Sequence, residues 1–540
     1  MVVTRKLLLA AGTLLLVRAA GVIASDFASG IAVGQITNRG IAEVSGIVAS
    51  QKNPGVVWVH NDLARPQVYA VSTNGQLLAT WTLGQPISDF EDIAIGPGPV
   101  PELQYIYCGD IGDNAAARPS IRVYRAAEPA AYAYQSANPL SRTFPLVEGF
   151  TINYPDGSHN AEELMVDPLS GDLFIATKEA NRSRIYRAER SQLTNGATVG
   201  LSFVRELDFD IVSAGDIRSD GFEIILRQEG FARVWQRASG QTIAQALAGT
   251  PKAARVIGTP TEPNGEGISF AGDGFGYYTI SEGPNPRIYF FARTNGVLPF
   301  RAQVLVAPGS EWKYLDNGAD GGLSWRNPEF SDATWPSGRA QFGHGEGDER
   351  TVVSFGPDAN QKHVTTYFRK QFVVKNPATI GTLVMSVVFD DGVAVYLNGN
   401  EVLRRNLAAN ANFSELALAS GSATENIWQT FIITNVLRSG TNTLSVEVHR
   451  ASRAEEDSSF DLQLVATSLN NAPAIVSPPK RTTASTWRID FQAGVESVVS
   501  LEQSNNLLNW ISFQTFVPTN GAGTFTFSSD LPTAFFRLRQ

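Results

Sequence analysis

The sequence predicts an all-β chain headed by a β-propeller of five blades, with a degenerate sixth left open. Three observations carry this prediction. First, a triplet of a basic or amide residue, a β-branched residue and an aromatic recurs at Gln67-Val68-Tyr69, Arg122-Val123-Tyr124, Arg184-Ile185-Tyr186, Arg233-Val234-Trp235 and Arg287-Ile288-Tyr289. Its aromatics are about 55, 62, 49 and 54 residues apart, a period typical of stacked supersecondary units. Second, each triplet follows a short segment that opens on small or acidic residues: Val44-Ser45-Gly46-Ile47, Phe90-Glu91-Asp92-Ile93, Ala161-Glu162-Glu163-Leu164, Ala214-Gly215-Asp216-Ile217 and Gly265-Glu266-Gly267-Ile268. Third, an apolar run of strand length lies between the two, and turn pairs such as Asp156-Gly157, Asp220-Gly221 and Asp273-Gly274 separate strands.

Taken in chain order, Arg5 and Lys6 precede the apolar run Leu7–Val17, and small residues follow to Ala24, the layout of a secretory signal peptide over 1–24. Arg18 cuts that run short of the roughly 20 residues a membrane span needs. The expected location is secreted, periplasmic or cell-surface, with no membrane span after cleavage. Cys108 is the only cysteine, so no internal disulfide forms and the sheets must hold themselves together. The propeller is expected over 34–306. Each blade reads as an inner strand, the apolar run, the triplet strand and a less regular fourth strand, seen around Leu77–Leu83, Leu201–Phe209 and Leu298–Val306. Net charge is −9 with no basic cluster, which argues against nucleic acid as a partner.

Beyond Ala307-Pro308-Gly309 the chain stays strand-rich but loses the repeat. Alternating strands flank Asn398-Gly399, a hairpin turn pair. The stretch Trp312-Lys313-Tyr314-Leu315-Asp316-Asn317-Gly318, Trp325, Phe330-Ser331-Asp332, Trp335-Pro336 and Phe342-Gly343-His344-Gly345, continued by Thr366-Tyr367-Phe368-Arg369, Asp390-Asp391-Gly392 and Tyr396-Leu397-Asn398-Gly399, resembles a galactose-binding-like jelly-roll module over 310–468. That resemblance implies an accessory β-sandwich, often beside hydrolases. Within it Trp335, in a turn-rich stretch, is the tryptophan to expect on a sugar ring if any is; the core is the default for all four of Trp312, Trp325, Trp335 and Trp428. Residues 478–540, with Leu508-Asn509-Trp510 and Phe535-Phe536-Arg537-Leu538, resemble a small immunoglobulin-like or fibronectin-like module.

Chemistry is expected where inner strands begin, because there polar residues distant in sequence converge on one channel. Glu91, Glu162, Asp216 and Glu266 are the candidate calcium ligands, hard oxygens suited to a hard cation. His60, Asp62, Asp110, Asp113, Asn114, Lys178, Arg227 and Glu282, near the ends of second strands, are the candidate substrate-binding residues. Lys178 and Arg227 are read as ending corresponding strands of adjacent blades, poised to grip an anionic group. The alternative for the inner-strand carboxylates is structural: they accept backbone N–H groups of neighbouring blades.

No Gly-x-Ser-x-Gly, His-Glu-x-x-His, Walker loop or cysteine-pair zinc pattern occurs. Glu91-Asp92-Ile93 and Glu266-Gly267-Ile268 resemble the blade openings of phytase-like and gluconolactonase-like secreted propellers, which implies a calcium-supported channel and water attack on a phosphate ester or lactone. The expected function is a calcium-assisted hydrolase of phosphate esters, lactones or glycans. Two alternatives stand beside it: a non-catalytic protein that binds glycans or a cell surface, and a structural envelope or adhesion protein.

Overall fold

A computed structural model describes residues 26–62, 64–294, 300–420 and 424–469, and the strand segments 474–475, 480–483, 486–492, 499–504, 511–516, 522–528 and 535–539. The expected signal peptide lies outside the described residues. The chain is all-β.

The first part of the chain forms five antiparallel sheets. Each of the first four opens on a segment expected as an inner strand and adds three strands in chain order. The first runs Val44–Ala49, Val56–Asn61, Gln67–Ser72, Leu77–Thr82, and the second Phe90–Pro97, Gln104–Asp110, Ile121–Ala127, Val147–Asn153. The third runs Ala161–Val166, Leu173–Thr177, Arg184–Ala188, Ser202–Glu206, and the fourth Ala214–Ile217, Glu223–Gln228, Phe231–Gln236, Lys252–Ala254. The fifth holds Gly267–Phe270, Gly276–Ile280 and Arg287–Ala292, and its fourth strand is Ile31–Gln35 from the beginning of the chain, antiparallel to Arg287–Ala292. Leu140–Thr143 and Thr198–Gly200 add parallel fifth strands to the first and second sheets.

The five first strands neighbour one another in a ring. Val44–Ala49 touches Phe90–Pro97, which touches Ala161–Val166, then Ala214–Ile217, then Gly267–Phe270, which returns to Val44–Ala49. Between consecutive sheets lie separate apolar layers, as around Trp58, Phe90 and Cys108 or around Tyr107, Phe150 and Tyr186. Cys108 is a buried free thiol in one of them. The triplet tyrosines and tryptophan belong to these layers: Tyr69, Tyr124, Tyr186, Trp235 and Tyr289 are all buried.

One expected strand belongs elsewhere. The segment read as Leu298–Val306 of the last blade is a strand, Phe300–Val306, but it pairs with Ser458–Leu469 of the following sandwich. Ile31–Gln35 takes the vacant place, so the last sheet is closed by a strand from the opposite end of the first part of the chain.

Residues 300–469 build a β-sandwich of two six-stranded sheets. One contains Phe342–His344, Ser458–Leu469, Thr382–Phe389 and Gln429–Ile433; the other contains Glu311–Leu315, Thr365–Val374, Gly440–His449, Gly392–Leu397 and Asn400–Arg405. The hairpin at Asn398-Gly399 has positive φ at both residues, 53° and 83°, as a type I′ turn requires. Trp312, Phe342, Phe368, Phe389 and Phe460 fill the space between the sheets. All four candidate tryptophans are buried. Trp335 is 7% exposed and stands against Phe330 and Tyr367, so it is a core residue and not a sugar platform. The terminal segments form two small antiparallel sheets, one around Thr486–Gln492 and Ala522–Ser528, the other around Val499–Ser504, Ile511–Phe516 and Phe535–Arg539.

The sandwich docks on the first part through directed contacts. Pro129 and Ile427 form a β-bridge, Ala130 N–H donates to Asn426 O at 2.7 Å, and Trp428 Nε1 donates to Asn53 Oδ1 at 2.9 Å. Asn53 belongs to a buried knot in which Ser50, Trp58 and the Asn53 amide all donate to Glu128 Oε1.

Candidate functional site

The first strands of the second and third sheets carry acids at adjacent positions, and adjacent strand residues point to opposite sides. In the second and third sheets this split is sharpened by β-bulges. The pairing shifts register between Phe90 and Asp92 and again between Ala161 and Glu163, leaving Glu91 and Glu162 as the extra residues. A bulge re-aims the side chain it carries. Glu91 and Glu162 thereby leave the ladder at the strand entrance, while Asp92 and Glu163 stay in it.

The ladder acids are structural. Asp92 Oδ2 accepts the Leu164 N–H of the next sheet at 2.8 Å, and burial lifts its carboxyl to about 8. Glu163 is fully buried, and burial first, then the charge of Asp92, raises it too. Asp216 repeats the pattern: its Oδ2 accepts the Phe270 N–H at 2.8 Å and the Ser269 hydroxyl at 2.9 Å, both in the fifth sheet, and desolvation lifts it to about 7. The fourth sheet has no bulge, and its strand runs in register through Ala214, Gly215 and Asp216. Asp216 is therefore an inter-sheet cap of the kind the structural alternative describes, turned away from Glu91, Glu162 and Glu266, with which the sequence groups it as a candidate calcium ligand.

The re-aimed acids gather with residues from strand ends. Lys178 Nζ forms an ion pair with Glu162 and stands 3.6 Å from Glu266 Oε1, which joins the third and fifth sheets across the ring. Asp62, Asp89 and Glu91 offer carboxylate oxygens that all lie within 4.8 Å of one another. Two oxygens on one calcium ion at about 2.4 Å each can be at most about 4.8 Å apart, a limit that each pair in this trio meets. Burial, then Glu162, Asp62 and Asp89, pushes Glu91 up to about 9. Burial raises Glu162 to about 7 against the pull of Lys178. Asp62 is raised by burial and then by Asp89 and Glu266, and Glu282 by burial and then by Glu266. Burial alone would lower Lys178, but Glu266 and Glu162 outweigh it and hold the ammonium above its ordinary value. The basin thus carries more negative charge than its cations neutralise, and proton uptake relieves part of it.

Other candidates lie outside the basin. Arg227 pairs with Ala214, the first residue of its sheet, just as Thr177 pairs with Ala161; the position matching Lys178 is Gln228. A one-residue slip sends a side chain to the other face. Arg227 is accordingly buried between the fourth and fifth sheets, where Nη1 donates to Gly267 O at 2.8 Å and Nη2 meets Glu262 Oε2 at 3.4 Å. It is not available to an anionic substrate. His60 is fully buried, stacked on Phe90 with ring centroids 3.7 Å apart, and burial keeps it neutral, lowered to about 3. Asp110 accepts the N–H groups of Ser88 and Asp89 and an ion pair from Arg118, and Asp113 accepts those of Ala117 and Arg118. Both are buried, and their oxygens close their own loop. Asn114 Oδ1 accepts from Asn160 at 3.2 Å. Asp62 and Glu282 do border the basin, and the Asn264 amide holds Glu282.

Asp89 is the residue the sequence reasoning passed over. It stands immediately before Phe90-Glu91-Asp92, and extending that motif by one residue would have included it.

No family model matches the chain, and no curated protein is similar to it in sequence. Solved structures with similar portions include β-glucuronidase 2 of Bacteroides uniformis, 13% identical over 45% of this chain and 28% of that one, TM-score 0.21. Also similar in part are the nidogen/laminin complex, 11% identical over 47% of this chain and 86% of that one, TM-score 0.27, and a β-glucuronidase of Ruminococcus gnavus in complex with D-glucuronic acid, 9% identical over 43% and 40%, TM-score 0.20. This chain spans well under half the length of the two glucuronidases. Overlaps of this extent leave the chemistry to the residues themselves.

Proposed function

We propose that the ring of five sheets is a five-bladed β-propeller, and that the protein is exported and works as a calcium-assisted hydrolase at the mouth of the propeller channel. The carrying observation is the convergence of Asp62, Asp89 and Glu91 beside the Glu162–Lys178–Glu266 ion-pair bridge. Asp62, Asp89 and Glu91 would hold the cation. When bound, calcium would polarise a substrate oxygen and lower the pKa of a water. Glu162, poised near 7 and hydrogen-bonded to Lys178, is the group suited to exchange a proton with the reacting oxygen at neutral pH. Lys178 supplies positive charge opposite that exchange.

The enclosure of Arg227 changes the substrate expectation. Without a second cation facing Lys178, a dianionic phosphate ester gains less than a polyhydroxyl substrate whose oxygens can share a calcium ion. Glycans and lactones therefore come before phosphate esters. The sandwich, with its tryptophans buried, serves as a docked support for the channel.

The test is a screen of glycosides, lactones, phosphomonoesters and phosphodiesters with calcium and with chelator, using the full chain and its Asp62→Asn/Glu91→Gln variant. Calcium-dependent turnover that the variant loses is expected. Turnover indifferent to both chelator and variant would overturn the proposal, and no turnover on any class would favour a glycan- or surface-binding protein.

A further inference from the structure

A second group of carboxylates lies in the sandwich, far from the channel in sequence. Glu346, Glu425 and Asp457 come from three separate loops, yet their oxygens all lie within 4.8 Å of one another. By the same geometry as before, such a trio can share one ion. Glu346 is held in place: its Oε1 accepts from the Asn426 amide at 2.5 Å and its Oε2 from the Ser459 hydroxyl at 2.7 Å. Each carboxylate oxygen has a further lone pair for a ligand.

A separate observation points into this cluster. Asp390 follows the strand Thr382–Phe389, is only 2% exposed, and has a buried Oδ1 with no hydrogen-bond partner among the described residues. Its backbone N–H is fixed to Ser459 O, the residue whose hydroxyl holds Glu346. Burial first, then the charge of and hydrogen bond to Asp391 and the charges of Glu425 and Asp457, raise its carboxyl. A buried carboxyl oxygen without a partner is costly unless something positive completes it. The nearby guanidinium is Arg450, which feels the charge of Asp390 but whose donors go to the Asp457 and His363 carbonyls, to His344 and to Ser458 Oγ.

We propose that Glu346, Glu425 and Asp457, backed by Asp390, form a second site for a hard divalent cation of the calcium class. Its place in the fold gives it a task. Asn426, next to Glu425, accepts the Ala130 N–H across the seam, Ile427 forms the bridge to Pro129, and the Glu346 carbonyl accepts from Arg142. A cation there ties together the loops that dock the sandwich on the first part of the chain.

The site is independent of the channel mouth, and so is its test. The full chain, stripped with chelator, is titrated with calcium chloride by calorimetry, alongside Glu425→Gln/Asp457→Asn and Asp62→Asn/Glu91→Gln. Loss of one calcium equivalent in Glu425→Gln/Asp457→Asn, with that equivalent retained in Asp62→Asn/Glu91→Gln, is expected. Terbium bound at the site should also show sensitised emission from Trp428, three residues from Glu425, and Glu425→Gln alone should weaken its binding at least tenfold. Undiminished stoichiometry in a folded Glu425→Gln/Asp457→Asn protein, or terbium emission unmoved by Glu425→Gln, overturns the proposal whatever becomes of the channel site.

Discussion

Replacing Arg227 by Met separates a structural cation from a substrate-binding one. The guanidinium is fully buried, donates to two carbonyls of the fifth sheet and pairs with Glu262, which is 1% exposed and is held from its other oxygen by Thr279. A side chain at Gly265 would collide with it, so the pocket is shaped around the group. Methionine fills much of the volume but leaves the Glu262 carboxylate buried and uncompensated. Breaking one half of a buried pair costs about 3 to 5 kcal/mol. For a unit of this size that lowers the melting temperature by roughly 10 °C. Urea unfolding followed by tryptophan fluorescence measures it, and Glu262→Gln added to Arg227→Met should recover part of the loss, because the coupling is between touching residues. A loss below about 1 kcal/mol accompanied by a collapse of turnover would refute the argument and return Arg227 to the site.

Three further outcomes are expected. The carboxyls of Glu91, Asp92, Glu162 and Asp216 have folded-state pKa values above their unfolded ones, so the folded state holds more protons and stability falls as pH rises from about 5 to 9; Glu91 alone accounts for on the order of 3 kcal/mol between its ordinary value and pH 7. Melting temperatures across that range without calcium check the sign, and a flat or rising profile contradicts it. Trp335→Ala should destabilise by about 3 kcal/mol or more, as aromatic truncations in a core do, without changing retention on a polysaccharide column. Trp428→Phe keeps a six-membered ring but removes the pyrrole ring and with it the donor to Asn53, and it should cost more than the roughly 1 kcal/mol of that hydrogen bond because a cavity is left as well, read as earlier protease cleavage at the seam; unchanged cleavage would show that the seam does not depend on it.

The sheets were legible in the sequence because each combines apolar runs of strand length with turn pairs, and because the triplet aromatic fills the equivalent layer between sheets every time. The closing strand was not legible. Ile31–Gln35 and Phe300–Val306 are both acceptable edge strands by pattern, and only the pairing partner, 250 residues away in one case and 160 in the other, decides between them. The basin was legible as a set of acids but not residue by residue. Asp216 and Arg227 are of the right type at the right distance from a strand end, and each is one register step from the residue that would face the channel. The second acid cluster escaped because Glu346, Glu425 and Asp457 share no local motif and meet only once the sandwich is folded.

That single step of register is where local backbone structure turns into chemistry. In a regular ladder the acid at the start of a first strand faces the neighbouring sheet, where it accepts an N–H, as Asp216 does. Glu91 and Glu162 escape that fate because a bulge inserts each as an unpaired residue, leaving Asp92 and Glu163 to take the place between the sheets. The unbulged fourth sheet contributes no acid to the basin: Gly215 stands where the second, third and fifth sheets have Glu91, Glu162 and Glu266. Unpairing a residue forgoes a ladder hydrogen bond, and crowding Glu91 among Asp62, Asp89 and Glu162 adds repulsion. Packing the sheets requires neither. Both costs are recovered if a cation binds among the re-aimed carboxylates, since the same repulsion that raises their proton affinity raises their affinity for calcium.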